Sequence, residues 1–342
     1  MAEGFPTSFD SISVLALAAR TNLSEPTTFV TGDAGEVLVH IGAGIGNVVL
    51  ATPLLVALSE LQFTVDVWLA GDYEQTADLL KGWSVIRAIS PDATLDLRAY
   101  NYVIPAIPPF YWPRCAPKLS SIVPLLSRPS ESLFYLDEQE FYLSFARRLG
   151  YPPDKRPLVC LPIASSKMQE VGLRTLVIAP GSKTGEMTAK RWPYFSELAN
   201  EFDDVAVVGT TDDLQRHDKM PLRFTAHVKT FVDRLTLRET AELIASAGAV
   251  VANDTGLAYV SAAVGTPTLI LFGPTPDVTL GRLPANVRVL RTGLTCEPCW
   301  FGRRFQTCAG RIDCLRRLSV SSVRDKVRHM LGCSDSSTSR VH

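Results

Sequence analysis

Apolar and polar residues follow one another along this chain in a repeated order of buried strand, polar turn and helix. The clearest instance begins with the apolar run 247–252, which is short and rich in β-branched residues and therefore predicts a strand. The turn 253–256, Asn-Asp-Thr-Gly, suits a helix start, and the pattern then predicts a helix over 257–264 and a buried strand over 268–272. In an open α/β sheet, N–H groups at such a helix start can bind phosphate or sugar oxygens. The turn 253–256 is therefore the first candidate ligand site.

A second instance lies nearer the amino terminus. An apolar run over 37–41 predicts a strand, a glycine-rich turn follows over 42–47, and a helix and a strand are predicted over 48–61 and 65–69. Glycines in such a turn let the backbone approach a ligand at the helix start. Their spacing, G-x-G-x-G, differs from the G-x-G-x-x-G fingerprint of dinucleotide-binding folds, which leaves dinucleotide binding as a weak alternative.

Further strand-turn-helix units occupy the rest of the chain. The patterns predict helices over 74–80, 138–149, 194–202, 238–246 and 320–331, and strands over 85–89, 102–107, 176–179 and 205–208. Thr236 and Glu239 match a capping box, and the proline-rich segment 152–157 is the best linker. We therefore predict two doubly wound, Rossmann-like α/β domains that face each other across a cleft. The predicted limits are an extension over 1–35, a first domain over 36–165, a second domain over 166–316, and a C-terminal helix and tail over 317–342.

The bulk composition narrows the function classes. The 342 residues carry a formal net charge of −1 and a charged fraction of 20%, so no basic field favours nucleic-acid binding. The apolar fraction of 46% supports sizeable cores, and no apolar run reaches the ~18–20 residues of a membrane span. The first residues lack the basic and apolar regions of a signal peptide. We expect a soluble cytoplasmic protein, with peripheral contact at the inner face of the membrane as a further option.

Four of the seven cysteines crowd into one short stretch, with the pattern Cys296-x2-Cys299-x8-Cys308-x5-Cys314. In a reducing compartment such a cluster favours a metal over disulfides, and four thiolates suit a structural zinc or iron site. Reduced cysteines without a metal are the alternative. The arginine-rich segment 303–317 either helps to keep the thiolates deprotonated or faces an anionic membrane or a phosphorylated acceptor.

Six short segments are informative because of the order in which they occur along the chain. They are Gly44-Ile45-Gly46-Asn47 with the helix after it, Pro180-Gly181-Ser182 with Lys190-Arg191-Trp192-Pro193, the helix after Thr236, Asn253-Asp254-Thr255-Gly256-Leu257, Leu271-Phe272-Gly273-Pro274-Thr275, and the cysteine cluster. In this order they resemble glycosyltransferase family 9, the ADP-heptose:lipopolysaccharide heptosyltransferase family. The resemblance implies a two-domain GT-B fold and inverting transfer of a sugar from an ADP-heptose donor to an acceptor hydroxyl, with no cofactor for the chemistry. It implies a lipopolysaccharide core glycan as the acceptor, with a protein or a small natural product as alternatives.

The resemblance also implies which residues bind the donor. They are Gly44, Gly46, Ser182, Lys190, Asp212, Asp213, Asp254, Thr255, Gly256 and Leu257. Lys190 and the helix-start N–H groups would stabilise the charge of a departing nucleoside diphosphate. Asp254 is assigned to sugar or ribose hydroxyls or to holding Lys190, and by position alone it could be a helix N-cap. Either Asp212 or Asp213 corresponds to the ribose-binding acid of the family.

Two positions depart from the family pattern. Asn47 stands where the family has a carboxylate proposed as the general base, and an amide cannot accept a proton at neutral pH. Tyr259 stands where a histidine often follows the Asp-Thr-Gly-Leu turn. Three interpretations stay open. The base comes from elsewhere, with Asp72 and Asp96 as candidates, or the leaving-group side supplies most of the acceleration, or the protein binds its donor without turnover.

Overall fold

The computed structural model of the chain describes residues 35–42, 44–70, 75–90, 96–119, 125–165, 170–300, 308 and 310–332. These residues form two separate parallel sheets. Residues 1–34 of the predicted extension and the candidate base Asp72 lie outside the described residues. The predicted domain boundary at 165 borders the stretch 166–169, which is also outside them, so the domain limits stay a prediction.

The two sheets divide the strands by chain order. The first sheet has the order β3-β2-β1-β4, with β1 at Glu36–Ile41, β2 at Thr64–Leu69, β3 at Ala88–Ser90 and β4 at Tyr102–Ala106. The second has the order β10-β9-β8-β5-β6-β7, with β5 at Leu176–Ala179, β6 at Val205–Val207, β7 at Lys229–Thr230, β8 at Ala249–Asn253, β9 at Thr268–Leu271 and β10 at Val287–Leu290. All of these strand pairs are parallel, as expected when helical crossovers connect successive strands.

The helices of the described residues follow the same division. Those of the first domain are α1 at Ile45–Leu50, α2 at Thr52–Glu60, α3 at Ala77–Leu80, α4 at Trp112–Leu119, α5 at Glu131–Leu136 and α6 at Glu138–Arg148. Those of the second are α7 at Phe195–Ala199, α8 at Leu237–Ser246, α9 at Gly256–Ala263, α10 at Asp313–Arg316 and α11 at Val320–Met330. Among the described residues, none of these helices is both long and apolar enough to cross a membrane.

Each sheet is buried on both faces, which explains why its strands are continuous apolar runs. In β1, Val37 and Val39 belong to one hydrophobic cluster, whereas Leu38 packs with Trp68 on the opposite face. In β8 the alternate residues likewise divide between two clusters. Such runs are typical of parallel sheets in α/β proteins.

The strand orders place a crevice at the carboxyl edge of each sheet. In the first sheet the winding reverses between β1 and β4, and in the second it reverses between β8 and β5. Ligands of open α/β sheets bind at such switch points. The glycine-rich turn after β1, the turn after β8 and Pro180-Gly181-Ser182 after β5 therefore lie where a ligand site is expected.

The two domains meet where α1 packs on α9. A Cβ added to Gly46 would lie 2.7 Å from the Tyr259 ring, and one added to Gly256 would lie 2.7 Å from Cβ of Ile45. Real Cβ atoms do not approach this closely, so the two glycines permit the contact. The ends of the two switch-point turns are thus in van der Waals contact across the cleft.

Two polar contacts hold the domains together away from this crossing. Arg238 of α8 donates from Nη1 to the carbonyl oxygens of Asp78 at 2.8 Å and Lys81 at 3.2 Å, at the end of α3. Gln139 of α6 donates to the carbonyl oxygens of Leu280 and, at 3.0 Å, Arg282. Each contact satisfies backbone carbonyls of one domain with a side chain of the other.

The sequence predicts most elements but not α4, α5, α10, β7 and β10, and it differs in the first helical segment. The helix expected over 48–61 is two helices that meet at Ala51 and Thr52. Pro53 in the first turn of α2 lacks an N–H donor, so the hydrogen-bond ladder of a single helix cannot run through it. The proline-rich segment 152–157 leads into chain that packs on the first domain, since Cys160 N donates to Thr52 Oγ1 at 3.2 Å.

Candidate active site

One buried amide, that of Asn253, joins three segments at the carboxyl edge of the second sheet. Its Nδ2 donates to the carbonyl oxygens of Pro180 at 2.5 Å and Gly181 at 3.2 Å. Its Oδ1 accepts from the backbone N–H of Trp192 at 2.9 Å. Because Asn253 has no solvent exposure, these bonds satisfy its whole side chain within the protein. They hold the turn after β5 and the segment that carries Lys190 against the end of β8.

Asp254 receives three side-chain donors. Its Oδ2 accepts from Lys190 Nζ at 3.0 Å and from Thr275 Oγ1 at 2.8 Å, and its Oδ1 accepts from the hydroxyl of Tyr259. Asp254 therefore holds Lys190, one of the two roles expected for it. The N-cap of α9 is Thr255, so the alternative that Asp254 is only a helix N-cap is wrong.

The surroundings of Asp254 keep its carboxylate charged. Burial by itself would raise the pKa of Asp254, but the positive charge of Lys190 and the hydrogen bonds from Tyr259, Lys190 and Thr275 outweigh burial, and the pKa lies below its usual range. Tyr259 responds in the opposite direction. Burial and the neighbouring Asp254 charge raise the pKa of its phenol well above the usual value, so Tyr259 stays a hydrogen-bond donor.

The start of α9 is a place where a ligand can find N–H donors. The N-cap Thr255 is extended and makes no side-chain capping hydrogen bond. The first N–H groups of a helix have no partner within the helix, and together they favour an anion. Thr255, Gly256 and Leu257 are half-buried, beside Lys190 and Asp254. Ile45 and Gly46 of the first domain lie directly against Gly256.

On the first-domain side, Asn47 is bonded to a carboxylate that the sequence does not single out. Asn47 Nδ2 donates to Glu138 Oε1 at 2.6 Å, and the hydroxyl of Tyr142 donates to the same oxygen at 3.0 Å. Glu138 is the first residue of α6 and is 7% exposed. Burial raises the pKa of Glu138 to about 7 against the hydrogen bonds from Asn47 and Tyr142, and the negative charge of Asp254 adds to the rise.

Ser182 has its side chain fully engaged within its own domain. Its hydroxyl donates to the carbonyl of Met187 at 2.8 Å and accepts from Arg191 Nε at 3.0 Å. Arg191 also donates to the carbonyl of Ser182 and, at 2.6 Å, to that of Asp212. Ser182 and Arg191 thus form a buried brace between the turn after β5 and the turn after β6. Donor contact by Ser182 stays a prediction.

The two aspartates that follow β6 have different surroundings. Asp213 accepts from Thr210 N at 2.9 Å and Thr210 Oγ1 at 3.0 Å, and it packs so closely on Gly181 that a Cβ there would lie 2.0 Å from its Oδ1. Asp212 is exposed, and its side chain makes no hydrogen bond or ion pair with the residues that the structure describes. Of the two, the Asp212 carboxylate is the more open to a ligand.

The candidate base Asp96 lies at the wrong edge of the sheet. Its carboxylate accepts from Arg98 N at 3.1 Å, at the start of a short 3-10 helix, Leu97–Ala99. That helix leads into the amino end of β4, where Asn101 N donates to the carbonyl of Glu36 at 2.9 Å. Asn47 follows the carboxyl end of β1, a full strand length away. Asp96 is therefore not positioned to act beside Asn47.

The four clustered cysteines differ in exposure, and the described residues hold no group of three or more His, Cys, Asp or Glu side chains arranged for a metal ion. Cys296 is exposed, Cys299 and Cys308 are half-buried, and Cys314 is buried. Burial is the main reason why the pKa of the Cys314 thiol is raised to about 12, and the neighbouring Glu297, Cys299 and Cys308 contribute to the rise. A metal at this cluster stays a prediction.

Two of the nearby arginines are paired with carboxylates. Arg311 lies 3.4 Å from Asp313, and Arg316 lies 3.7 Å from Asp218. Arg303 and Arg304 lie outside the described residues. Arginines were expected to keep the cysteine thiolates deprotonated. The charges of Arg311 and Arg316 are instead paired with Asp313 and Asp218.

Sequence reasoning missed several residues that shape this site. Thr275 and Asn253 lie in motifs that were recognised, although neither had an assigned role. Glu138 and Tyr142 lie in a predicted helix whose acidic start is typical of a solvated first turn, so no local signal distinguishes them. Only the contact between α1 and α6 brings them to Asn47.

Comparison with known proteins gives consistent matches. A family profile described as "Glycosyltransferase family 9 (heptosyltransferase)" matches residues 140–306. The chain is 32% identical over 132 residues to "Lipooligosaccharide heptosyltransferase 2" of Haemophilus influenzae, a match that covers 35% of this chain and 38% of that protein. It is also 32% identical over 123 residues to "Lipopolysaccharide heptosyltransferase 2" of Escherichia coli K12, covering 33% of this chain and 34% of that protein. The chain thus matches little more than a third of the length of these relatives.

Solved structures match over a greater length. The E. coli ADP-heptose lps heptosyltransferase II has a TM-score of 0.64 at 19% identity, covering 86% of this chain and 98% of that chain. A glycosyl transferase family 9 structure from Veillonella parvula gives 0.65 at 16% identity, covering 88% and 98%. The iron-containing dodecameric glycosyltransferase TibC of enterotoxigenic E. coli gives 0.63 at 15% identity, covering 88% and 79%. These likenesses confirm the predicted GT-B fold, with two Rossmann-like domains facing a cleft.

Proposed function

Because the chain belongs to glycosyltransferase family 9, we propose that it transfers a heptose-like sugar from an ADP-sugar to an acceptor hydroxyl, with inversion at the anomeric carbon. The observation that carries the proposal is the Lys190–Asp254 pair, 3.0 Å apart, beside the open start of α9. This places a lysine charge and helix-start N–H groups together at the switch point of the second sheet. Nothing else in the described cleft is as well suited to a diphosphate.

The chemistry asked of these residues is stabilisation of a leaving group. When the bond from the anomeric carbon to the diphosphate breaks, negative charge grows on the nucleoside diphosphate. Lys190 and the N–H groups of Thr255–Leu257 provide positive charge and dipoles at that point, in a half-buried site where they act strongly. Asp254 keeps the Lys190 ammonium in place through its 3.0 Å contact.

The nucleoside and the acceptor would occupy opposite sides of the cleft. Asp212, exposed at the end of the turn after β6, is the residue that we assign to ribose hydroxyls. The acceptor would approach from the first domain, next to the turn Gly44–Asn47. The names of the matched relatives favour a glycan of the lipopolysaccharide core as that acceptor.

The proposed transfer reaction assigns no role to a metal. TibC is described as iron-containing, but the described cysteines here do not assemble a site of that kind. We assign the charge stabilisation to Lys190 and the α9 start, which lie together at the expected diphosphate position. A metal at Cys296–Cys314, if loaded, would serve the structure of that segment.

The test is a screen of ADP-, UDP- and GDP-linked sugars for release of the nucleoside diphosphate, followed by variants with the donor that works. Lys190→Ala leaves the buried Asp254 charge unpaired, which can cost about 3–5 kcal/mol, so a Lys190→Met, Asp254→Asn double variant is measured beside it. The matched control is Lys229→Ala, which removes a surface lysine 2.7 Å from Asp204.

We expect release from an ADP-sugar, a loss of about 100-fold or more in both site variants, and wild-type turnover in the control. The double variant should keep its fold because it buries no unpaired charge. Wild-type turnover in the double variant would refute the site. Calorimetric binding of an ADP-sugar without any ADP release would favour the alternative of a donor-binding protein, which the replacement of the family carboxylate by Asn47 also suggests.

A further inference from the structure

Asn47 occupies the position of the family's carboxylate, and its contact with Glu138 places a different carboxylate beside that position. Asn47 lies in the first turn of α1, after the carboxyl end of β1, and its Nδ2 donates to Glu138 Oε1 over 2.6 Å. We propose that Glu138 is the general base of the transfer, accepting the proton of the acceptor hydroxyl, and that Asn47 is its positioning residue. This inference rests on the transferase function proposed above.

Glu138 has one oxygen engaged and one open. Oε1 accepts both the Asn47 amide and the Tyr142 hydroxyl. Oε2 accepts no hydrogen bond from the part of the chain that the structure describes, and the residue keeps 7% of its surface exposed. The two bonds to Oε1 therefore fix the carboxylate while Oε2 is left to take a proton.

Contacts on both sides of Glu138 fix the helix start that carries it. Asp137, the N-cap of α6, accepts from Glu140 N at 2.9 Å and pairs with Arg156 at 2.5 Å. Gln139, on the other side, donates across the cleft to carbonyls of the second domain. A base held in this way from both domains is preorganised for the reaction, which a side chain on a free surface is not.

The proton transfer is part of a balanced step. The acceptor oxygen forms a bond to the anomeric carbon as the bond from that carbon to the diphosphate oxygen breaks. The electron pair of the broken bond leaves with the nucleoside diphosphate, next to Lys190, and the hydroxyl proton goes to Glu138 Oε2. Water then removes this proton and restores the carboxylate.

The burial of Glu138 and the charged groups that face it bring its pKa close to neutral pH. The groups that face it are Asp137 and Tyr142 on its own helix, and Asp254 and Tyr259 across the cleft. Burial is the main reason why the pKa of Glu138 reaches about 7, and the charges of Asp254 and Asp137 add to it. A base is most effective when its pKa lies near the working pH. Turnover should therefore rise with pH through this value, as Glu138 loses its proton.

The experiment measures ADP release by the full chain with donor and acceptor, from about pH 6 to about pH 9, and ADP affinity by calorimetry. Glu138→Gln removes the base and keeps the shape. An Asn47→Asp, Glu138→Gln double variant exchanges the amide and the carboxylate, so the 2.6 Å hydrogen bond can re-form in the opposite sense. Glu131→Gln, at an exposed carboxylate on the neighbouring helix α5, is the matched control.

We expect Glu138→Gln to lower kcat by about 10²–10⁴-fold, to abolish the rise with pH, and to leave ADP affinity unchanged. The exchanged double variant should regain at least about tenfold over Glu138→Gln, a rescue that a purely structural role does not produce. Wild-type kcat and pH dependence in Glu138→Gln would overturn the base assignment alone. Loss of ADP affinity without rescue would also overturn it. A wild-type protein that releases no ADP would overturn the proposed function, and the base with it.

Discussion

Replacement of Glu138 by glutamine should make the protein more stable in alkaline solution, because the wild-type carboxyl is buried where its charged form is disfavoured. Its pKa lies at about 7 in the folded protein, against an ordinary value of 4.5. Between these values the folded chain binds a proton that the unfolded chain has released. The free energy of unfolding therefore falls as pH rises from the lower value through the higher one.

The size of the effect follows from the shift. One pKa unit corresponds to about 1.4 kcal/mol, so the full shift costs the folded state roughly 3 kcal/mol above pH 7 and less than about 1 kcal/mol near pH 5. Glutamine does not titrate and can accept the same hydrogen bonds from Asn47 and Tyr142 at its carbonyl. Glu138→Gln should thus lie within about 1 kcal/mol of the wild type near pH 5 and exceed it by roughly 2–3 kcal/mol near pH 8.

The assay is urea unfolding followed by tryptophan fluorescence and circular dichroism at several pH values. The two probes must give the same midpoint before a single free energy is extracted from a two-domain chain. Glu131→Gln, at an exposed carboxylate, should show no comparable trend with pH. A difference between Glu138→Gln and wild type that stays constant with pH, or that shrinks as pH rises, would refute the reasoning.

Two further predictions concern the domain contact and the cysteines. Gly256→Ala places a Cβ 2.7 Å from Cβ of Ile45. We therefore expect the free energy of unfolding in denaturant to fall by roughly 1–3 kcal/mol and small-angle X-ray scattering to show a wider separation of the domains. Unchanged stability and dimensions would contradict the close crossing of α1 and α9. Cys296 is exposed, whereas Cys314 is buried with its pKa raised to about 12, so iodoacetamide should label Cys296 in the native protein and Cys314 only after unfolding, as read by peptide mass spectrometry. Equal labelling rates would contradict the burial of Cys314.

The elements that sequence analysis predicted well are those whose signal is local. The strand and helix around Asp254 agree with the predicted bounds to within two residues, because an apolar run, a polar turn and a helix start follow one another directly. The capping box of Thr236 and Glu239 is present for the same reason. Pro53 is also a local signal, and it accounts for the division of the predicted helix into two.

The candidate site was predictable only where a family motif marked it. Lys190 and Asp254 are 64 residues apart in sequence, and only the resemblance suggested that they meet. Asn47 and Glu138 are 91 residues apart, and no motif marks Glu138. An acid in the first turn of a helix is ordinarily solvated and favourable there. Its burial depends on the packing of α6 against α1 and on the second domain above it, which no local pattern contains.

The hydrogen bonds from Arg238 to the end of α3 make the stability of this helix in the first domain depend on the position of the second domain. α3 has only four residues, too few to be stable alone, and Arg238 of the second domain occupies the carbonyls of Asp78 and Lys81 at its end. When the domains part, this helix loses the partner of its last carbonyls. Opening of the cleft is therefore expected to loosen the end of this helix, which amide hydrogen exchange over 77–83 would detect.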